Sequence, residues 1–140
     1  MEIDELKILV IDGMGGGIGK AIIEHVRTEL FDVEIMAVGT NTIATAAMFK
    51  AGATHAATGE NALIYNCSKV ECIIGVMGIV IANSMHGEIS PKMAEAVSSS
   101  AAHKIFVPID KCGVTVLGLA ERPVQAYVSE INKVLKKLSM

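Results

Sequence analysis

Residues 6–11 form a mostly apolar run that passes straight into five glycines within residues 13–19, and an amphipathic helical pattern follows at once. Few chains can accommodate that order except as strand, tight turn and helix, the opening unit of a layered α/β sheet. Glycine tolerates positive φ and lets another group approach the backbone, while a helix start presents unpaired N–H groups and the positive end of its dipole. The turn is therefore expected to hold an anion, through Asp12, Gly13, Gly15, Gly16, Gly17, Ile18, Gly19 and Lys20.

Spacing separates the glycine loops from one another. A Walker A loop fails, because Met14 stands at its first glycine and Ala21 replaces the hydroxyl that would hold Mg²⁺. The deviant form of the partition ATPases fits residues 16–20 better, but Gly15 takes the place of its signature lysine. Gly-x-Gly-x-x-Gly fits in no register, since Ile18 or Lys20 falls on the third glycine. The short-chain dehydrogenase spacing, Gly-x-x-x-Gly-x-Gly, is met by Gly13, Gly17 and Gly19, so the first turn is similar to theirs. A dinucleotide site also asks for an acid at the end of the second strand. There the chain has Gly39, Thr40 and Asn41 instead, which leaves NAD unsupported. Thr40 and Asn41 are expected either to reach a ribose or second phosphate or to cap the next helix.

Strand and helix signals alternate along the rest of the chain. Strands are expected near residues 33–38, 55–57, 71–76 and 104–109, with helices following the glycine turn and over residues 42–51, a short helix ending near Lys69, and one opened by Ser90-Pro91. Residues 78–88 are ambiguous between strand and helix. Residues 110–113 suggest a hairpin loop into an antiparallel edge strand at 114–117, and residues 123–138 a final helix with Val124, Val128, Ile131, Leu135 and Leu138 on one face. The expected architecture is one Rossmann-like three-layer domain spanning residues 1–140, with a mostly parallel sheet of five or six strands.

With 51% hydrophobic and only 4% aromatic residues, the core must be aliphatic, and the apolar surplus points to a homo-oligomer that uses the edge strand and last helix. A net charge of −3 gives no basic field for nucleic acid. The acidic start and a longest apolar stretch of ten residues, 73–82, argue against a leader or membrane span and for the cytoplasm. Three cysteines, Cys67, Cys72 and Cys112, form no Cys-x-x-Cys and are read as reduced. No metal site is expected, because His25, His55 and His103 lack spaced partners.

Ligands of such sheets bind beyond the carboxyl ends of the strands. That rule gathers the glycine turn, Thr40 and Asn41, Thr58, Glu60 and Asn61, Asn83, Ser84, His86 and Glu88, and Asp110 and Lys111. Catalysis is undecided: Glu60, His86 and Glu88 are the acid/base candidates, and Ser84, His86 and Glu88 would share a side only on extended backbone. Tyr65 and Lys69 reproduce a dehydrogenase spacing without the preceding serine, and are read as coincidence.

Taken together, residues 11–20, 39–41, 57–62 and 78–89 resemble a family of small bacterial proteins of unknown function over nearly the whole chain. The resemblance implies a stand-alone bacterial cytoplasmic domain with no assigned activity. Three readings stay open: a binder of a nucleotide, dinucleotide or other phosphorylated small molecule, a small enzyme acting on that ligand, or an oligomeric scaffold whose loop is unoccupied.

Overall fold

Alternation along the first strand sets the layers. In the computed structural model, which describes residues 1–109 and 113–140, β1 (Lys7–Asp12) sends Ile8 and Val10 to one face and Leu9 and Ile11 to the other, all fully buried. A strand covered on both faces belongs in the middle of a parallel sheet. The order is β3-β2-β1-β4-β5, with β2 (Glu34–Gly39), β3 (His55–Thr58), β4 (Cys72–Val76) and β5 (His103–Val107), and every pairing is parallel. The chain steps outward from β1 to β3 and then returns to the other side of β1, so the order reverses between β1 and β4.

Helices cover both faces. On one, Ile22, Ile23 and Val26 of α1 (Gly17–Arg27) and Met48 of α2 (Thr42–Lys50) pack with Ile8, Val10, Ile35 and Ile74. On the other, Leu63 of α3 (Glu60–Cys67) and Met93 and Val97 of α4 (Pro91–Ser99) pack with Leu9, Ile11 and Ile73. Each such aliphatic side chain contributes about 1.5–3 kcal/mol by leaving water, and the mostly aliphatic composition suffices for both layers. Ser90 caps α4 by accepting from Met93 N–H, with Pro91 at the first helical position, as its sequence implies.

Two expectations fail. Residues 114–117 lie in no strand, so among the described residues the sheet has five parallel strands and no antiparallel edge. Gly113 and Gly118, at φ 68° and 86°, turn the chain at both ends of that run, and the Tyr127 hydroxyl draws the chain beyond it toward the last helices by donating to Ala120 O. The hairpin residues Asp110, Lys111 and Cys112 fall outside the described residues. The final helix is two, α5 (Val124–Val128) and α6 (Ile131–Leu138), although the stripe survives the break with Val128, Ile131 and Leu135 buried against α1. The ambiguous stretch opens as a 3₁₀ turn, Met77–Val80. Among the described residues no helix is long and apolar enough to cross a membrane.

Arg27 fastens the end of the sheet opposite the glycine turn. Its guanidinium donates to the carbonyls of Gly52 (2.9 Å), Leu30 (3.2 Å), Phe31 (3.1 Å) and Val33 (2.7 Å) and to the Thr54 hydroxyl (3.1 Å). One side chain thus satisfies the end of α1 and the approaches to β2 and β3, which leaves the other end of the sheet as the place where loops are free to specialise.

Candidate functional site

The five glycines divide by what surrounds them. A Cβ on Gly13 would meet Glu88 Oε1 and Thr40 Oγ1 at 2.5 Å, on Gly16 the Ala44 Cα at 2.8 Å, and on Gly19 the Met48 Sδ at 2.5 Å. These three are needed for close packing, and Gly16, at φ 76°, also for its left-handed turn at the start of α1. Gly15 and Gly17 differ: a Cβ on either meets nothing within 4 Å, and neither has positive φ. Packing explains three of the glycines and leaves two unexplained.

The N–H groups sort the same way. Asp12, buried at the end of β1, accepts from Gly13 N–H (2.8 Å, Oδ1) and Gly19 N–H (2.6 Å, Oδ2), with Ile18 N–H contributing as well. Gly16 N–H goes to Gly13 O and Lys20 N–H to Gly16 O. Among the described residues, the N–H groups of Gly15 and Gly17 have no acceptor. Asp12 thus builds a carboxyl acceptor into the helix start, a role that its position in the loop did not reveal. Burial raises its pKa above the usual aspartate value, and Glu88 adds to the rise, against the lowering by its N–H partners.

Beyond β4, residues 81–89 cross over the end of β1. Asn83, Met85 and His86 all have left-handed φ, between 56° and 67°, as does Met14 at 52° in the glycine loop. Such backbone persists only where surrounding contacts hold it, and it concentrates at functional sites. Besides its own backbone hydrogen bonds, such as Asn83 N–H to Ile89 O at 2.7 Å, two side chains hold this segment. The buried Ser84 donates its hydroxyl to Gly78 O (2.5 Å), and Glu88 reaches across to accept from Met14 N–H (2.7 Å), the Thr40 hydroxyl (2.8 Å) and Asn41 Nδ2 (3.1 Å). These donors, the Met14 N–H foremost, hold Glu88 below the usual carboxylate range. That lowered value favours the folded state above the ordinary glutamate pKa, and the benefit is lost as pH falls through the folded value.

Between these two segments, at the point where strand order reverses, lies a cavity of about 620 Å³. The glycine loop from Asp12 to Ile18 forms one wall, Val76, Gly78 and residues 81–86 another, and Ile109 adds a third side. Most side chains on it are apolar, among them Ile18, Val76, Ile81, Met85 and Ile109; polar ones are Asp12, Asn83, Ser84 and His86. Of the apolar members only Ile18 is expected from the sequence; Ile81 and Met85 lie in the stretch whose periodicity is ambiguous, and Val76 and Ile109 read as strand residues.

The sequence candidates are thus partly assembled. Asp12 through Ile18 and His86 line the cavity. Thr40, Asn41 and Glu88 meet one another beside it, and Asn41 also caps α2 by accepting from Ala44 N–H at 2.9 Å. Gly19 is packed inside, and Lys20 is exposed on α1 outside the lining. Glu60 and Asn61 also lie outside it, at the start of α3, where Glu60 accepts from the Ser90 hydroxyl. Ser84, His86 and Glu88 scatter because the segment turns instead of extending. Tyr65 carries Lys69 over its ring at 5.1 Å on the surface, away from the cavity. Burial pushes the Cys67 thiol up to about 11 and that of Cys72 to about 12, which leaves neither as a ready nucleophile.

Comparison with known proteins adds one assignment. The family model described as "Domain of unknown function (DUF3842)" matches residues 7–140. No curated protein matches the chain. A solved structure described as a universal stress protein in complex with cAMP aligns at a TM-score of 0.43 and 14% identity, over 74% of this chain and 98% of that one.

Proposed function

The chain belongs to that family, a domain of unknown function, and from this premise we propose that the crevice between β1 and β4 binds a mononucleotide, its phosphate on the N–H groups of Gly15 and Gly17 and its base among the apolar side chains. The observation that carries the reading is the pair of glycines that packing does not require, each with open space beside it and an N–H without an acceptor among the described residues, on the wall of a 620 Å³ cavity. A glycine without a packing reason, at a helix start facing a cavity, is accounted for by a ligand that must come close to the backbone. The cavity is of small-ligand size, and its apolar lining suits a planar base better than a bare sugar phosphate.

A mononucleotide is preferred to a dinucleotide because the far side of the loop is taken. Thr40 and Asn41, where the ribose of a dinucleotide would be received, already hold Glu88. Titration calorimetry of the parent protein with AMP, GMP, ATP and NAD, in excess chelator, tests this. Binding of at least one mononucleotide without Mg²⁺, with no binding of NAD, is the expected result; NAD binding more tightly than every mononucleotide overturns it.

The same loop predicts a proton linkage. Burial already disfavours ionised Asp12, and an anion seated nearby disfavours it further. Anion binding should therefore take up protons, and affinity should fall as pH rises through the folded-state pKa of Asp12. Sulfate is the appropriate probe because its own charge is fixed over that range. Sulfate binding heats that do not vary with buffer ionisation enthalpy at any pH at which the protein stays folded would contradict the linkage.

A second reading is a small enzyme acting on that nucleotide. It is favoured by His86, which lines the cavity on left-handed backbone at φ 56°. Of the other acid/base candidates, Glu88 is engaged by three donors and Glu60 lies outside the lining, so His86 is the residue to replace. Turnover of a bound nucleotide by the parent that is lost in His86→Ala supports this reading. A scaffold with an unoccupied loop is disfavoured, because it gives no reason for the open space beside Gly15 and Gly17.

A further inference from the structure

The strand-like run that the sheet leaves out and the open edge beside which the chain leaves it belong to one another. Among the described residues β5 ends the sheet, and its first residue donates inward, His103 N–H to Glu71 O at 3.0 Å. Strand geometry alternates these directions, so Lys104 and Phe106 turn their N–H and C=O groups to the free edge. An unpaired edge of this kind is a template for another strand unless something guards it. Lysine is the usual guard, but the Lys104 ammonium is folded back to donate to Ser100 O (2.6 Å) and Ala102 O (3.2 Å).

Residues 114–117, Val-Thr-Val-Leu, have the composition of a strand and lie in none. Val116 is 41% exposed and Leu117 is 92% exposed. Left-handed Gly113 and Gly118 bracket the run, and just beyond it the Tyr127 hydroxyl anchors Ala120 at 2.9 Å, so the chain is held beside the run while Thr115, Val116 and Leu117 are exposed. We propose that this run adds as an antiparallel strand to the outer edge of β5 in a second copy of the chain, each copy giving its run to the other in a closed two-fold dimer. The pairing that the sequence suggests within one chain is then made between two. A reciprocal exchange covers both exposed runs and the outer edge of β5 in both copies, so that the contact closes on itself.

Sedimentation of the full chain from micromolar to submillimolar concentration, with amide exchange of Lys104 and Phe106 followed in the same samples, tests this. The parent should dimerise, with the two amides slowing as the dimer fills. Val116→Pro removes a donor and bars strand pairing in an exposed run that the monomer does not use, so it should weaken the dimer at least about tenfold with circular dichroism unchanged. Leu117→Asp should weaken it too, by placing a charge at the apolar contact. A parent monomeric throughout overturns the proposal. So does a dimer that withstands Val116→Pro, or one in which the Lys104 and Phe106 amides exchange as fast as in the monomer.

Discussion

Gly39→Val is expected to destabilise the protein by about 3 kcal/mol or more, enough to unfold a marginal domain. Gly39 closes β2, and a Cβ there would meet Thr45 Oγ1, the Thr45 backbone N at 2.5 Å and the Asn41 carbonyl at 2.7 Å. Two of these three atoms are backbone, held by the cap that Asn41 places on α2, so no rotamer change relieves the clash. Denaturant unfolding measures it, and a loss below about 1 kcal/mol would mean that the turn after β2 is far looser than its contacts indicate. Gly17→Ala is the control in the same class of residue. With nothing within 4 Å of the added methyl, it should leave stability unchanged or slightly higher.

Gly17→Asp is expected to abolish mononucleotide binding, by at least about 100-fold in affinity, which corresponds to about 3 kcal/mol, while the unfolding midpoint stays within a few degrees of the parent. The carboxylate would sit in the open space that the phosphate needs and would repel it, yet an acid in the first turn of a helix suits the dipole. Loss of binding without loss of fold separates a ligand-bearing glycine from a structural one. Equal affinity in variant and parent would remove Gly17 from the site.

The layers were legible because each central strand is a short apolar run and each helix carries one stripe, as with Ile22 and Val26 in α1. The edge strand misled for a physical reason: Val114 to Leu117 have the right side chains, but pairing depends on where the flanking glycines send the chain, and that is not a property of the four residues themselves. The last helix misled less, since Val128, Ile131 and Leu135 keep their face across the break. Within the site, the glycine count pointed to the loop but not to the division of labour. Gly13, Gly16 and Gly19 look the same in sequence as Gly15 and Gly17, and only their neighbours, Thr40, Ala44 and Met48 among them, tell packing from access. Glu88 was legible as a residue near the site but not as the acceptor for Met14, Thr40 and Asn41, because that contact spans 47 to 74 positions along the chain.

The central claim is that two backbone N–H groups, those of Gly15 and Gly17, receive the phosphate, and amide NMR of the isotope-labelled parent reads those two groups directly. On titration with a mononucleotide in excess chelator, the account predicts that the Gly15 and Gly17 resonances move furthest, downfield as their N–H groups acquire an anionic acceptor, and that the Gly13 and Gly19 resonances, already bonded to Asp12, move less. Gly15 and Gly17 resonances that stay in place through the titration, whether or not others move, would contradict it.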